Sequence, residues 1–337
     1  MPNWFGIQRK ENSRRGTKMA KKKRKFVDDG WAVWIDGDDV SNVYLHDWLY
    51  PKGENYVDLA IRIRGVKTGS FLHIYIPFIV DRCEMNDVSL LFNDTKILQA
   101  IFGSACIVDY MKNEHTSEIA YGGKTVDIVH ISTMDFELSH LSDGTLVNID
   151  LRALQSYLDN DEAYFIWRMP HKSLNKLFKS RVGVGSLKTR LKDLITTPVV
   201  SEKYGYSIRV NESRLLPEEI TRIGAFHRQK LKKAVITLSI GERYDVNDAG
   251  CYRIRRLEEE LYRDYLPEGY DPEDVISYEW QQSREDNLRG QFNFYYNITK
   301  SSVNGASMTL YMIVVMILAI IGEMLADSVR ALIDLIF

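Results

Sequence analysis

The sequence predicts an α+β, β-rich soluble region, a sandwich or an open barrel, followed by one C-terminal transmembrane helix. Three observations carry that expectation. Residues 308–322 read MTLYMIVVMILAIIG, fifteen positions without a charge. Residues 56–64 alternate strictly, with Val57, Leu59, Ile61 and Ile63 on one face and Asp58, Arg62 and Arg64 on the other, the period of a half-buried strand. Short runs rich in β-branched and aromatic residues recur between turn residues from 26 to 150, which is the grammar of an all-β layer pair or barrel.

The tail organises the rest. Extended through Ala326, the apolar stretch has nineteen residues, about 28 Å as a helix and close to the hydrocarbon thickness of a bilayer. The rival reading is a buried helix of a soluble core, which rarely needs so long an uncharged run. Glu323, Asp327, Arg330 and Asp334 follow at i, i+4, i+7 and i+11, so they share one helical face. A polar stripe on an apolar helix calls for water or a partner helix. Either residues 327–337 lie as an amphipathic tail at the far interface, or neighbouring helices bury the stripe in a homo-oligomer or pore. The lipid bilayer is the expected partner in both cases.

Charge is distributed unevenly. Residues 1–26 hold ten Lys/Arg and one acid, Glu11. The remainder then holds 34 bases (44 − 10) against 45 acids (46 − 1), a balance of −11. An acidic body does not favour nucleic acid as the main partner, although local basic patches stay open. Cys83, Cys106 and Cys251 are odd in number and lack CxxC spacing, as expected of free thiols in a reducing compartment. No apolar signal core stands at the N-terminus, so the body is expected in the cytosol. Arg289 and Lys300 before the span, against Arg330 after it, agree with that orientation, and the Asn297-Ile298-Thr299 glycosylation pattern is then idle.

Residues 1–26 read as a basic disordered leader; Met19 looks like an ordinary start, which makes residues 1–18 a candidate upstream extension. The Lys21-Lys22-Lys23-Arg24-Lys25 run reads as solvated, with nuclear import and a lipid tether as alternatives. Residues 27–150 form a β-rich domain, with strands expected at 31–35, 43–50, 56–64, 71–80, 105–110, 125–132 and 145–151. The strands at 56–64 and 71–80, joined across Gly65 and Gly69, are expected to form a hairpin. Residues 93–102 read as a short helix capped by Asn93 or Asp94. Residues 151–300 form an α+β domain with strands at 163–169, 206–210, 234–240 and 292–296, the last having an aromatic belt as its rival. Helices are expected at 217–233, opened by Pro217 ahead of Glu218 and Glu219, and at 253–266, laced with ion pairs. Residues 301–307 read as a linker, 308–326 as the span.

Chemistry is sparsely signalled. His46-Asp47, beside Tyr44 and Trp48, is the best catalytic-looking pair, because a carboxylate can orient an imidazole; a structural histidine is the plainer reading. The glycine-rich stretch Gly183-Val184-Gly185-Ser186-Leu187-Lys188, with Arg190 beyond it, invites a phosphate-binding reading of Lys188 and Arg190. It lacks the Gly-Lys-Ser/Thr ending of a phosphate loop. Asp36, Asp38 and Asp39 read as a turn rather than a cation loop. None of the seven histidines has HExxH or HxH spacing, and neither a metal nor a cofactor is expected. The expectation is a non-enzymatic, single-pass membrane protein with a cytosolic sensing or binding domain for an unknown ligand or protein. Its layout parallels that of bacterial stress and anti-phage effectors. The alternatives are a membrane-tethered hydrolase or nucleotide-processing enzyme, and a passive scaffold.

Overall fold

The computed structural model describes residues 25–336 apart from 37–39, 51–52, 67, 69, 104, 180–198, 229–230, 243, 248–249, 268–269, 271–274, 286–289 and 304. Two sheets face each other across one core. The first runs, edge to edge, through Tyr244–Val246 (β14), Phe292–Val303 (β17), Val199–Val210 (β12) and Lys25–Ile35 (β1). It continues through Phe71–Ile76 (β4), Thr145–Asp150 (β10) and Phe136–His140 (β9). The second begins with Arg253–Arg256 (β15), Val275–Ser283 (β16), Lys233–Gly241 (β13), Val40–Leu49 (β2) and Tyr56–Arg64 (β3). Glu162–Pro170 (β11), Lys124–Val129 (β8), Thr116–Tyr121 (β7) and Cys106–Asp109 (β6) complete its path, and Asn86–Asp87 (β5) pairs beside β11.

The alternation read at 56–64 holds in space. Val57, Leu59, Ile61 and Ile63 enter the inter-sheet core with Val33, Val147, Phe165, Trp167 and Ile236. The outer face of the second sheet carries a second apolar layer, in which Trp48, Ala60 and Tyr164 pack under the helix Thr95–Phe102 (α1). Asp94 caps that helix by accepting the Lys96 amide at 2.7 Å, as the sequence anticipates.

Strands from 27–150 and from 151–300 share both sheets. β1 pairs in parallel with β12, and β2 in parallel with β13. Each of these parallel strands is then flanked by an antiparallel partner, β4, β17, β3 or β16.

Four local expectations are corrected. Strands β3 and β4 make no hairpin: β3 pairs with β2 and β11, β4 with β1 and β10. Gly65, at φ 74°, turns the chain from one sheet to the other, and such a corner shares its residues with a hairpin turn. The helix expected at 217–233 breaks into Glu218–Thr221 (after α2, Lys172–Lys179, this is α3) and Gly224–Arg228 (α4), and Lys233 opens β13. Here Leu216, Ile220 and Phe226 must cover Ala32, Trp34 and Tyr75 on the outside of β1 and β4, and Gly224 weakens a continuous helix. The helix expected at 253–266 keeps only Glu259–Tyr262 (α5), because Arg253–Arg256 pairs as an edge strand with Arg253 opposite Glu279. Finally, β17 extends to Val303 and the last helix starts at Gly305, so strand occupies 301–303 and the first helical turn 305–307, where a linker was expected.

Among the described residues, the last helix, Gly305–Ile336 (α6), supplies no side chain to any of the apolar clusters of the body. Its stretch Tyr311–Arg330 is long and apolar enough to cross a membrane, with mean hydropathy 2.2, and none of it is buried. The buried-helix reading fails on that point. Met316, Leu318, Ile320 and Leu325 are all more than half exposed, and each such side chain forgoes about 1.5–3 kcal/mol of burial in water.

Candidate functional site

The structure separates His46 from Asp47. Neighbours on a strand point to opposite faces, so Asp47 enters the inter-sheet core while His46 stacks on Trp48 outside, with ring centroids 3.9 Å apart. His46 Nε2 lies 2.7 Å from Ser239 Oγ, and burial lowers its pKa to about 3. The pair cannot act as base and orienter.

Asp47 belongs instead to a buried network that the sequence did not suggest. Tyr296 donates to Asp47 Oδ2 at 2.8 Å, and Tyr206 donates to Asp29 Oδ2 at 2.6 Å. His171, fully buried, bridges the two: its Nε2 is 2.8 Å from the Tyr206 hydroxyl and 3.4 Å from Asp47 Oδ1. The Leu174 amide points at His171 Nδ1 (3.4 Å), which assigns the ring proton to Nε2 and directs it to Tyr206. Burial raises Asp47 to about 8 and Asp29 to about 6, against the lowering effect of their tyrosine donors, and burial lowers His171 to about 3.

Two further networks lie in the second sheet's outer layer. Arg168 and Asp58 pair with Trp48 and Tyr265 around them. Burial would raise the Asp58 pKa, but the Arg168 charge and hydrogen bonds outweigh it and hold the group low. Separately, Ser117 Oγ sits 2.7 Å from His130 Nε2, and Ser89 Oγ lies 2.9 Å from His130 Nδ1 while donating to Asp87. That order of groups resembles a nucleophile, base and orienter. Ser117, His130 and Ser89 are each fully buried, however, and neither groove described next reaches them. No group of three or more His, Cys, Asp or Glu among the described residues is arranged to hold a metal ion. Lys188 and Arg190 lie outside the described residues, as do Asp38 and Asp39; Asp36 meets His73 Nε2 at 3.3 Å.

An accessible site opens on the outward side of β1, β12 and β17, where the cover formed by Leu216, Ile220 and Phe226 stops. Two adjoining grooves of about 550 and 300 Å³ share Phe26 and Tyr295 as walls. Both rings are about half exposed, at 48% and 47%, with centroids 5.8 Å apart and planes tilted by 36°. Phe26 stands opposite Gly205 in the ladder, and its ring lies over the bare Cα. A Cβ at 205 would sit 2.9 Å from that ring, so a glycine keeps the wall low. Tyr295 donates to Asn297 Oδ1 at 2.5 Å, and Asn293 and Asn247 add amides at either end. The larger groove reaches Arg209 and Arg214, which share the buried carboxylate of Glu212; the smaller reaches Lys203. Sequence reading missed this site because its residues come from three distant strands.

The stripe residues Glu323, Asp327 and Arg330 are exposed on α6, with Arg330 Nη1 4.0 Å from Asp327 Oδ1; Asp334 follows in the same helix. No protein-family model matches the chain, and no curated protein matches its sequence.

Proposed function

We propose that this chain is a single-pass membrane-anchored recognition protein, with its β-sandwich in the cytosol, that works by binding and helix-driven assembly rather than by catalysis. One observation carries the reading. Strand β17, which supplies Tyr295 and Asn297 to the grooved face, passes through a single residue, Asn304, into α6. A ligand seated across β1, β12 and β17 therefore bears directly on the strand that holds the anchor. Tyr295 precedes Gly305 by ten residues, at most roughly 33 Å of strand, which keeps the grooves close to the bilayer surface. Within the membrane, burying Glu323, Asp327 and Arg330 against neighbouring copies satisfies groups that lipid cannot.

Alkaline extraction and protease protection of the full-length protein test the anchor and its orientation: the chain stays with the membranes, and the body is digested only after they are opened to the cytosolic side. Replacing Glu323 and Asp327 with Leu retains insertion and lowers the oligomer size seen by native mass measurement. Recovery of the intact chain in the aqueous fraction would sink the anchor, and an unchanged oligomer would sink stripe-driven assembly.

A further inference from the structure

We propose that the double groove over β1, β12 and β17 is a binding site for nucleobase–phosphate ligands, with Phe26 and Tyr295 as the stacking platform. Three observations converge on that class. Two half-exposed rings, side by side and only 36° from coplanar, offer a π-surface on which a flat base stacks whatever its identity. Amides from Asn293, Asn247 and Asn297 flank the rings, and an amide presents both a donor and an acceptor, as base edges do. Charge decides against a neutral sugar. The groove walls carry Arg209, Arg214 and Lys203 against Asp28 alone, and Glu212 behind them offsets one arginine. Three cations less Asp28 and Glu212 leave a local sum of +1, the surplus lying at Lys203, on a body whose overall balance is −11.

The cations stand at the two ends with the aromatic pair between them. Lys203 and Arg209 are six residues apart on β12, roughly 20 Å along a strand. A base on the ring pair can therefore place phosphate at one end, as a mononucleotide does, or at both, as a strand does, and the combined volume lies in the range of small-ligand sites. The shared chemistry is base plus phosphate, present both in free nucleotides and in single-stranded nucleic acid. The inference gives the recognition function its ligand class and rests on that reading. Because binding is measured apart from membrane insertion, either can fail without the other.

The test uses full-length protein in detergent and fluorescence anisotropy of a labelled oligothymidylate of about twelve residues, within the site sizes of single-strand binders. Labelled ATP and UTP are titrated in the same way, and both also serve unlabelled as competitors. The expected result is saturable binding that weakens with salt. Tyr295→Ala lowers affinity about tenfold, as loss of one stacked base does, and Lys203→Glu also weakens binding. Melting temperature is unchanged in both variants, and Tyr295→Leu, which keeps side-chain bulk, repeats the loss should Tyr295→Ala disturb the fold. Displacement by ATP or UTP at low concentration identifies a free nucleotide as the source; displacement only by unlabelled oligonucleotide identifies a single strand. Absence of binding by oligonucleotide and by both nucleotides overturns the proposal, as does binding that Tyr295→Ala and Tyr295→Leu leave intact.

Discussion

Arg168 holds Asp58 through two parallel hydrogen bonds, Nε to Oδ1 at 2.6 Å and Nη2 to Oδ2 at 2.8 Å, with both side chains buried. Asp58 Oδ2 also accepts from Trp48 Nε1 at 2.8 Å and from the Tyr265 hydroxyl at 2.9 Å, while Arg168 Nη1 donates to the Tyr265 carbonyl at 2.7 Å. Three side chains, on β2, β11 and the segment after α5, are thereby tied to one carboxylate on β3. Asp58→Ala leaves a buried guanidinium without its counter-charge and two ring donors without an acceptor, so it destabilises by about 3–5 kcal/mol. Urea denaturation followed by tryptophan fluorescence reads this directly. A double replacement, Asp58→Leu with Arg168→Met, loses less than Asp58→Ala, since no uncompensated charge remains; a larger loss would show that the pair contributes beyond its own charges.

The inter-sheet network gives stability a defined pH dependence. Asp47 keeps its proton up to about pH 8 in the folded chain, against 3.8 when unfolded. As pH rises through that window the unfolded chain has released the proton and the folded chain has not, so stability falls and then flattens above pH 8. Asp29 acts in the same direction, but only up to about pH 6. His171 and His46 act oppositely: both are held neutral down to about pH 3, so acidification from 6.5 toward 3 costs stability. These contributions offset one another on the acid side. Between pH 6.5 and 8 Asp47 dominates, and stability declines by roughly 1 kcal/mol per pH unit. Asp47→Asn abolishes that slope, whatever it does to the absolute value; a slope that survived in the Asn variant would place the titrating group elsewhere.

His46 and Asp47 face different layers, so their energetic effects are separable. His46→Ala loses the Trp48 stack and the Ser239 bond, and Asp47→Asn alters only the inter-sheet network. The double variant is expected to equal the sum of the single ones within about 0.5 kcal/mol. A double-mutant cycle by thermal unfolding measures it.

What the sequence disclosed follows the range of the forces involved. The strand at 56–64, the Asp94-capped helix and the apolar tail depend on neighbours a few residues away, and each reads correctly from pattern alone. Arg168 and Asp47 left a fainter trace: each is a charge whose same-face strand neighbours include buried apolar residues, Ile166 for one, Leu45 and Leu49 for the other. Such a residue announces a buried partner without naming it. The partners come from far along the chain, Asp58 110 positions away and Tyr296 249, and no local pattern encodes them. The hairpin between β3 and β4 misled for the opposite reason, because Gly65 makes a turn without saying which sheet receives the next strand. The grooved face was illegible since Phe26, Gly205 and Tyr295 meet only after β1, β12 and β17 align.

The body is expected to fold without its anchor. Of α6, the stretch Tyr311–Arg330 is not buried at all, and the inter-sheet core closes on side chains from β1 through β17 with no residue of that helix. Ending the chain after Val303 therefore removes apolar surface that contributes nothing to the core, while the β12–β17 ladder, paired as far as Val199 with Val303, is left whole. The shortened protein should leave the membrane fraction and run as a monomer. In urea it should unfold at the midpoint measured for the full chain in detergent, shifted only by what detergent itself does to a control domain. Circular dichroism on the two proteins gives both midpoints. A marked fall on truncation would mean that the helix supports the sandwich, and the independence of the sandwich from the helix would have to be given up.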